Sequence, residues 1–151
     1  MKALRMAAAG AALALAGGCV TANVTKVEAP KGAATSKVVY HVNEGVDKAV
    51  PALRNVRNHL DAEPAAKIVI VTHGPGIDFL LDGAKDKNGN PFEVTVDTLQ
   101  ARGVEFRVCQ NTLVSRNIDP KKVIPQAKIV PSGVAEIGRL QTSEGYVYLK
   151  P

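Results

Sequence analysis

Three side chains capable of nucleophilic or acid–base chemistry occupy comparable places in the pattern of this sequence: His41, His73 and Cys109. Each stands at or one residue before the end of a run of β-branched or alternating apolar residues, KVVYHV for His41, KIVIVTH for His73 and VEFRVC for Cys109. Each run then turns small and polar, at Asn43-Glu44-Gly45, Gly74-Pro75-Gly76 and Gln110-Asn111-Thr112. A thiol just before a helix start is stabilised as its thiolate by unpaired backbone N–H groups and the positive end of the helix dipole, and a neighbouring imidazole adds to that effect. Asn111 and Thr112 are the candidate caps of such a helix. Alternation places Glu105, Arg107 and Cys109 on one strand face and Val104, Phe106 and Val108 on the other, so the thiol need not belong to the apolar core. Plainer readings stand beside these. A cysteine is often simply a packed core residue, and a strand-end histidine often only hydrogen-bonds a loop. His41, His73 and Cys109 together have side chains suited to copper or zinc. They come from separate loops without local ligand spacing, so neither a metal nor a cofactor is assigned. Gly74-Pro75-Gly76 lacks the pattern of a phosphate-binding loop and reads as a tight turn.

These residues need elements to position them. Strands are expected over 37–42, 67–73, 104–109, 127–133 and 145–150. Val46, Val50, Leu53, Val56 and Leu60 recur at helical spacing, with Lys48, Arg54, Arg57 and Asp61 on the wet side. Pro51 is tolerable there only near the first turn, and the third histidine, His59, falls on the surface of this helix. A short helix is expected over 77–84. A second main helix runs through Val94, Val96, Leu99 and Ala101 and stops at Gly103. A short one starts near Asn111 or Thr112, and a last one spans Gly133 to Gln141. Strands alternating with helices imply an α/β domain with a mostly parallel sheet covered on both faces. Ligands of such sheets bind outside the carboxyl ends of the strands. His41, Asn43, His73, Gly74 and Cys109 fall there, as does Ser132 after the fourth strand.

The N-terminus reads as a processing signal. Lys2 and Arg5 precede AAAGAALALAGG, an apolar run too short to span a bilayer comfortably. Leu15-Ala16-Gly17-Gly18-Cys19 resembles a bacterial lipoprotein processing box, in which Cys19 becomes the lipidated first residue; Val20 and Thr21 lack the aspartate that retains such proteins at the inner membrane. The expectation is a periplasmic protein held at the outer membrane by its lipid alone. The alternative is cleavage after Val20-Thr21-Ala22 and a soluble periplasmic protein. Residues 1–19 form the signal, 20–36 a small, polar tether, and 37–151 the domain. Removing Lys2 and Arg5 takes away two of the five net positive charges, and what remains is too mild to argue for nucleic acid. Either cleavage leaves Cys109 as the only thiol free to react, so no intramolecular disulfide supports the fold. With no Trp and few aromatics, aliphatic packing must form the core.

Several segments, in this order and spacing, resemble the DsrE/DsrF-like family: Tyr40-His41-Val42, Arg54-Asn55-Val56, Val71-Thr72-His73-Gly74-Pro75-Gly76, Val108-Cys109-Gln110-Asn111-Thr112-Leu113 and Pro131-Ser132-Gly133-Val134-Ala135-Glu136. The resemblance covers most of 37–151. It implies a three-layer α/β/α domain with a five-stranded sheet, and a homo-oligomer, trimer or hexamer. It also implies a cysteine at the end of the third strand that carries sulfur as a persulfide, the place held by Cys109. Gln110, Asn111 and the N–H groups after Cys109 would serve the anionic sulfur, with His41, Asn43, His73, Gly74 and Ser132 around them. The chain departs from relay members in its export signal and in having no second domain cysteine to resolve a persulfide. The expected function is that of a DsrE-like sulfur carrier or sulfur sensor, with unidentified donor and acceptor proteins. The alternatives are a non-catalytic periplasmic oligomer holding a small ligand or metal at the His41/His73/Cys109 rim, and an envelope scaffold with an inert Cys109.

Overall fold

A computed structural model describes residues 35–151. The processing signal, Cys19 and the tether as far as residue 34 lie outside the described residues. Among the described residues no helix is long and apolar enough to cross a membrane.

Valine and isoleucine crowd the helical backbone and suit a pleated one, and their two densest runs become the centre of the sheet. β1 (Lys37–Val42) and β2 (Lys67–Thr72) pair in parallel from Lys37↔Lys67 to Val42↔Thr72. β3 (Glu105–Cys109) joins β2 with Thr72 opposite Val108, and β4 (Ala127–Val130) joins β3 with Cys109 opposite Val130. β5 (Val147–Leu149) pairs with the other edge of β1, Tyr148 opposite Val39. The order is β4-β3-β2-β1-β5, and every pairing is parallel.

Parallel neighbours need crossovers, and four helices supply them: α1 (Val46–Ala62), α2 (Phe92–Ala101), α3 (Gln110–Ser115) and α4 (Gly133–Glu144). The first three bury Leu53, Val56, Val96, Leu99 and Leu113 in one large apolar cluster with Tyr40, Ile70 and Phe106. α4 alone covers the opposite face, where Ile137 and Leu140 pack on Val39, Val69 and Val71. The three layers are therefore unequal, and the face beneath α4 is thinly covered.

Several local expectations change. Val50 and Val94 are 43% and 63% exposed. Ala49 and Ala52 fill the buried row of α1, and Phe92 anchors α2. Pro51 sits in the second turn of α1, beyond the turn where its missing N–H is free of consequence. The piece expected over 77–84 is a 3-10 helix over Gly74–Leu80, starting earlier because Pro75 favours a first helical turn. β4 stops at Val130, because Pro131 leads into the cap of α4. Ser36, assigned to the tether, donates its N–H and hydroxyl to the Glu63 carboxylate, each at 2.7 Å, and ties the start of the domain to the end of α1.

The turn after β2 is locked to β1 by contact. A Cβ at Gly76 would stand 2.1 Å from the carbonyl oxygen of Val42. Gly76→Ala is therefore expected to lower stability by about 3 kcal/mol. Gly138→Ala, in open space on α4, should raise it by about 0.5–1 kcal/mol. Urea unfolding of the two variants beside the parent checks both signs.

Candidate functional site

Three crossovers pack on one face of the sheet and the fourth on the other. At the carboxyl edge the chain leaves β3 for α3 on one side and leaves β4 for α4 on the opposite side. This divergence opens the crevice in which open α/β sheets bind their ligands, and Cys109, the last residue of β3, stands at it.

Both helices begin at the sulfur. The first N–H groups of a helix have no partner inside it. Around the Cys109 sulfur stand the N–H of Gly133 at the start of α4, the hydroxyl and N–H of Thr112, and the N–H of Asn111, which also donates to the Pro131 carbonyl at 3.4 Å; each favours the thiolate over the thiol. Burial pushes the Cys109 thiol up, but these hydrogen bonds outweigh it and hold the thiol below its ordinary value. Cys109 is only 5% exposed. It nonetheless belongs to neither apolar cluster, because it lies on the face of Arg107, whose guanidinium binds Glu105 and Glu136.

Two contacts set this geometry. A Cβ at Gly133 would lie 3.1 Å from the Thr72 carbonyl oxygen, 3.2 Å from Cys109 Cβ and 3.3 Å from His73 Cβ. A side chain there would push these neighbours apart by a few tenths of an ångström, so glycine suits so close a start of α4. The Gly74 N–H donates to Thr112 Oγ1 at 2.9 Å, filling a lone pair of that hydroxyl and leaving its proton for the sulfur. Arg116 holds the same turn, reaching the Gly74 carbonyl at 3.2 Å and Asp78 at 2.6 Å.

The two rim histidines meet each other. His41 Nε2 and His73 Nε2 are 2.7 Å apart, and His41 Nδ1 is 2.7 Å from the Tyr148 hydroxyl. Strand register places Tyr148, His41, His73 and Cys109 on the α4 face of four adjacent strands, as one row along the rim. Burial, then His73, then Lys150 lower the pKa of His41; burial and then Lys150 lower that of His73.

The other sequence-predicted residues are distributed around this row. Asn43 lies against the Gly76 turn with its Oδ1 buried and without a hydrogen-bond partner. Gln110 opens α3 exposed to solvent, and Asn111 contributes its backbone N–H rather than its side chain. Ser132 caps α4 by accepting from the Ala135 N–H at 3.3 Å. His59 is remote from the rim, bonded through Nδ1 to the Tyr40 hydroxyl at 2.9 Å. Sequence reasoning missed the Thr112 hydroxyl, the Gly133 N–H and Tyr148. The Pro-Ser-Gly turn after β4 carried a signal for Gly133; Tyr148 had none, because its place depends on which strand β5 pairs with. Among the described residues no three His, Cys, Asp or Glu side chains are grouped to hold a metal ion. The small pocket beside His41 and Lys150 holds about 10 Å³, whereas a cleft of about 430 Å³ lies away from the rim, lined by Asp47, Pro51, Arg54 and Asp86.

The sequence model of the DsrE/DsrF-like family matches residues 21–151. Among solved structures, a protein of unknown function from Methanobacterium thermoautotrophicum, MTH1491, is 29% identical at a TM-score of 0.68, over 77% of this chain and 99% of that one. The ychN protein from E. coli is 18% identical at a TM-score of 0.66, over 78% of this chain and all of that one, a likeness of fold. No curated protein matches the chain.

Thr112→Val should leave the Gly74 N–H without an acceptor and cost about 1–3 kcal/mol. It should also move the Cys109 ionisation up, while Thr112→Ser keeps both contacts; urea unfolding and thiolate absorbance read the two effects. A thiol whose folded-state pKa is lowered stabilises the fold above its ordinary pKa and loses that contribution as pH falls through the folded value. The stability of the parent relative to Cys109→Ser should therefore climb with pH between those two points and then level off.

Proposed function

The chain belongs to the DsrE/DsrF-like family, and from that membership we propose that it carries or senses sulfur as a persulfide on Cys109. At the level of the family, membership supports a sulfur-relay type of role. The observation that carries the finer reading is the convergence of hydrogen-bond donors on one sulfur. Those donors favour an anion at Cys109, and both a thiolate and a persulfide are anions.

The loading step needs only a sulfane-sulfur donor, a polysulfide or a protein persulfide. The Cys109 thiolate attacks the terminal sulfur of the donor. One S–S bond forms at Cys109, the donor's S–S bond breaks, and the donor leaves with the electron pair as a shortened polysulfide or a thiolate. Unloading is the same exchange toward an acceptor thiolate. No second cysteine of this domain takes part, so the acceptor is another molecule.

The lipobox-like Leu15-Ala16-Gly17-Gly18-Cys19 supports the further proposal that the protein works in the periplasm, anchored by a lipid on Cys19. Val147, Tyr148 and Leu149 stand exposed on the unpaired edge of the sheet, which supports self-association, with a trimer or hexamer expected.

Two measurements follow. Incubation of the Cys19→Ser chain with polysulfide, then buffer exchange and intact mass, should show added sulfur that is absent when Cys109→Ser is introduced as well; an unchanged mass with the thiol still titratable after denaturation would sink the carrier reading. The mature protein isolated from membranes should carry fatty acid that is lost in Cys19→Ser; a soluble mature chain starting after Ala22 would contradict the anchor.

A further inference from the structure

The Nε2–Nε2 contact between His41 and His73 constrains how many protons the pair can hold. At 2.7 Å only one proton fits between the two nitrogens. In the neutral pair, one ring donates Nε2–H to the other. The second proton of the pair then sits on one of the two Nδ1 atoms. A single added proton occupies the remaining Nδ1, leaves the Nε2–H···Nε2 bridge in place and makes it charge-assisted. A further proton would have to enter the bridge and break it. Tyr148 fits both states, because its hydroxyl can donate to a bare His41 Nδ1 or accept from a protonated one.

This one-proton site stands beside the sulfur. His73 and Cys109 flank the same point at Gly133, each with its Cβ within 3.3 Å of the position a side chain there would take. The charged groups around the row are few. The Lys150 charge acts on both imidazoles, and its Nζ lies 3.9 Å from the Glu44 carboxylate. Arg107 lies two residues before Cys109 on its face, held by Glu105 and Glu136. Arg116 crosses the 73–76 turn toward Asp78. Burial and Lys150 disfavour a charge on the pair. A persulfide is a stronger acid than a thiol, so stored sulfur holds a negative charge at this partly buried rim over a wider pH range than the resting thiol does, and an imidazolium beside it is stabilised.

We propose that His41 and His73 form a one-proton acceptor that charges when Cys109 holds anionic sulfur. The proton comes from solvent through Tyr148 on loading, pairs with the persulfide while it is stored, and is available to the sulfur that leaves. His73 stands next to Cys109 on the neighbouring strand, and His41 and Tyr148 act through it as positioning residues. The proposal rests on the carrier reading for its biological sense, but the coupling itself can be tested without any persulfide.

The test is a pH titration of the imidazole nitrogens by long-range ¹H–¹⁵N NMR on the full chain in two states of matched shape. One is loaded with polysulfide at Cys109; the other carries the uncharged methyl disulfide made with methyl methanethiosulfonate. The pair should take up a single proton, with a midpoint higher by about one pH unit in the charged state. Tyr148→Phe should shift the midpoint of the pair in both states, which a purely structural role for Tyr148 would not do. Equal midpoints in the two states would overturn the proposal, as would independent uptake of two protons. The same comparison between Cys109→Asp and Cys109→Asn needs no sulfur chemistry. A higher midpoint in the Asp variant, in a protein that does not load sulfur, would keep the proton coupling and remove the carrier reading. Equal midpoints there would remove the coupling.

Discussion

The close approach of α4 to the end of β3 is the contact on which the site depends. The lack of a Cβ at Gly133 lets α4 start close to Thr72, His73 and Cys109, with its first N–H favouring the Cys109 thiolate. That contact exists because β4 crosses to the far face of the sheet through α4, while β1, β2 and β3 all cross on the near face. The topology thus brings two helix starts, from opposite layers, to one atom. Either helix alone would leave part of the anion's hydrogen bonding to solvent, which is largely excluded at a residue 5% exposed.

Burial and hydrogen bonding oppose each other at this sulfur. A buried thiol among apolar side chains would be hard to ionise and inert. Cys109 is buried among donors instead, on the polar face of β3, where Arg107 and Glu136 continue the polar layer beneath it. The 73–76 turn joins the two halves of the rim. It presses on the end of β1 at Gly76, orients the Thr112 hydroxyl through Gly74, and carries His73 to His41. One short turn therefore couples the sulfur to the imidazole pair.

Much of this was legible in the sequence. The valine- and isoleucine-rich runs located β1 and β2, and alternation in VEFRVC put Cys109 on the face of Arg107 rather than that of Phe106. Strand–helix alternation gave the layered α/β class, and the rule of the carboxyl edge gathered His41, His73 and Cys109 on one rim. What escaped depends on tertiary geometry. Periodicity favoured Val50 and Val94 as buried, but the axial rotation of a helix on its sheet decides which row is covered, and the smaller Ala49 and Ala52 fit the close side of α1. The donors of the sulfur are mostly backbone N–H groups, which have no sequence signature beyond a helix start. The pairing of His41 with His73 needs the register of β1 on β2, and that of His41 with Tyr148 the register of β5 on β1, and residue types alone set neither.

The most direct measurement is the ionisation of Cys109 itself, followed by ultraviolet thiolate absorbance in a Cys19→Ser background, in the folded protein and again in denaturant. A folded midpoint below the denatured one is expected if the converging N–H groups and the Thr112 hydroxyl outweigh burial. A folded midpoint at or above the denatured one would mean that burial wins, and would contradict the reading of Cys109 as an anion-stabilising site.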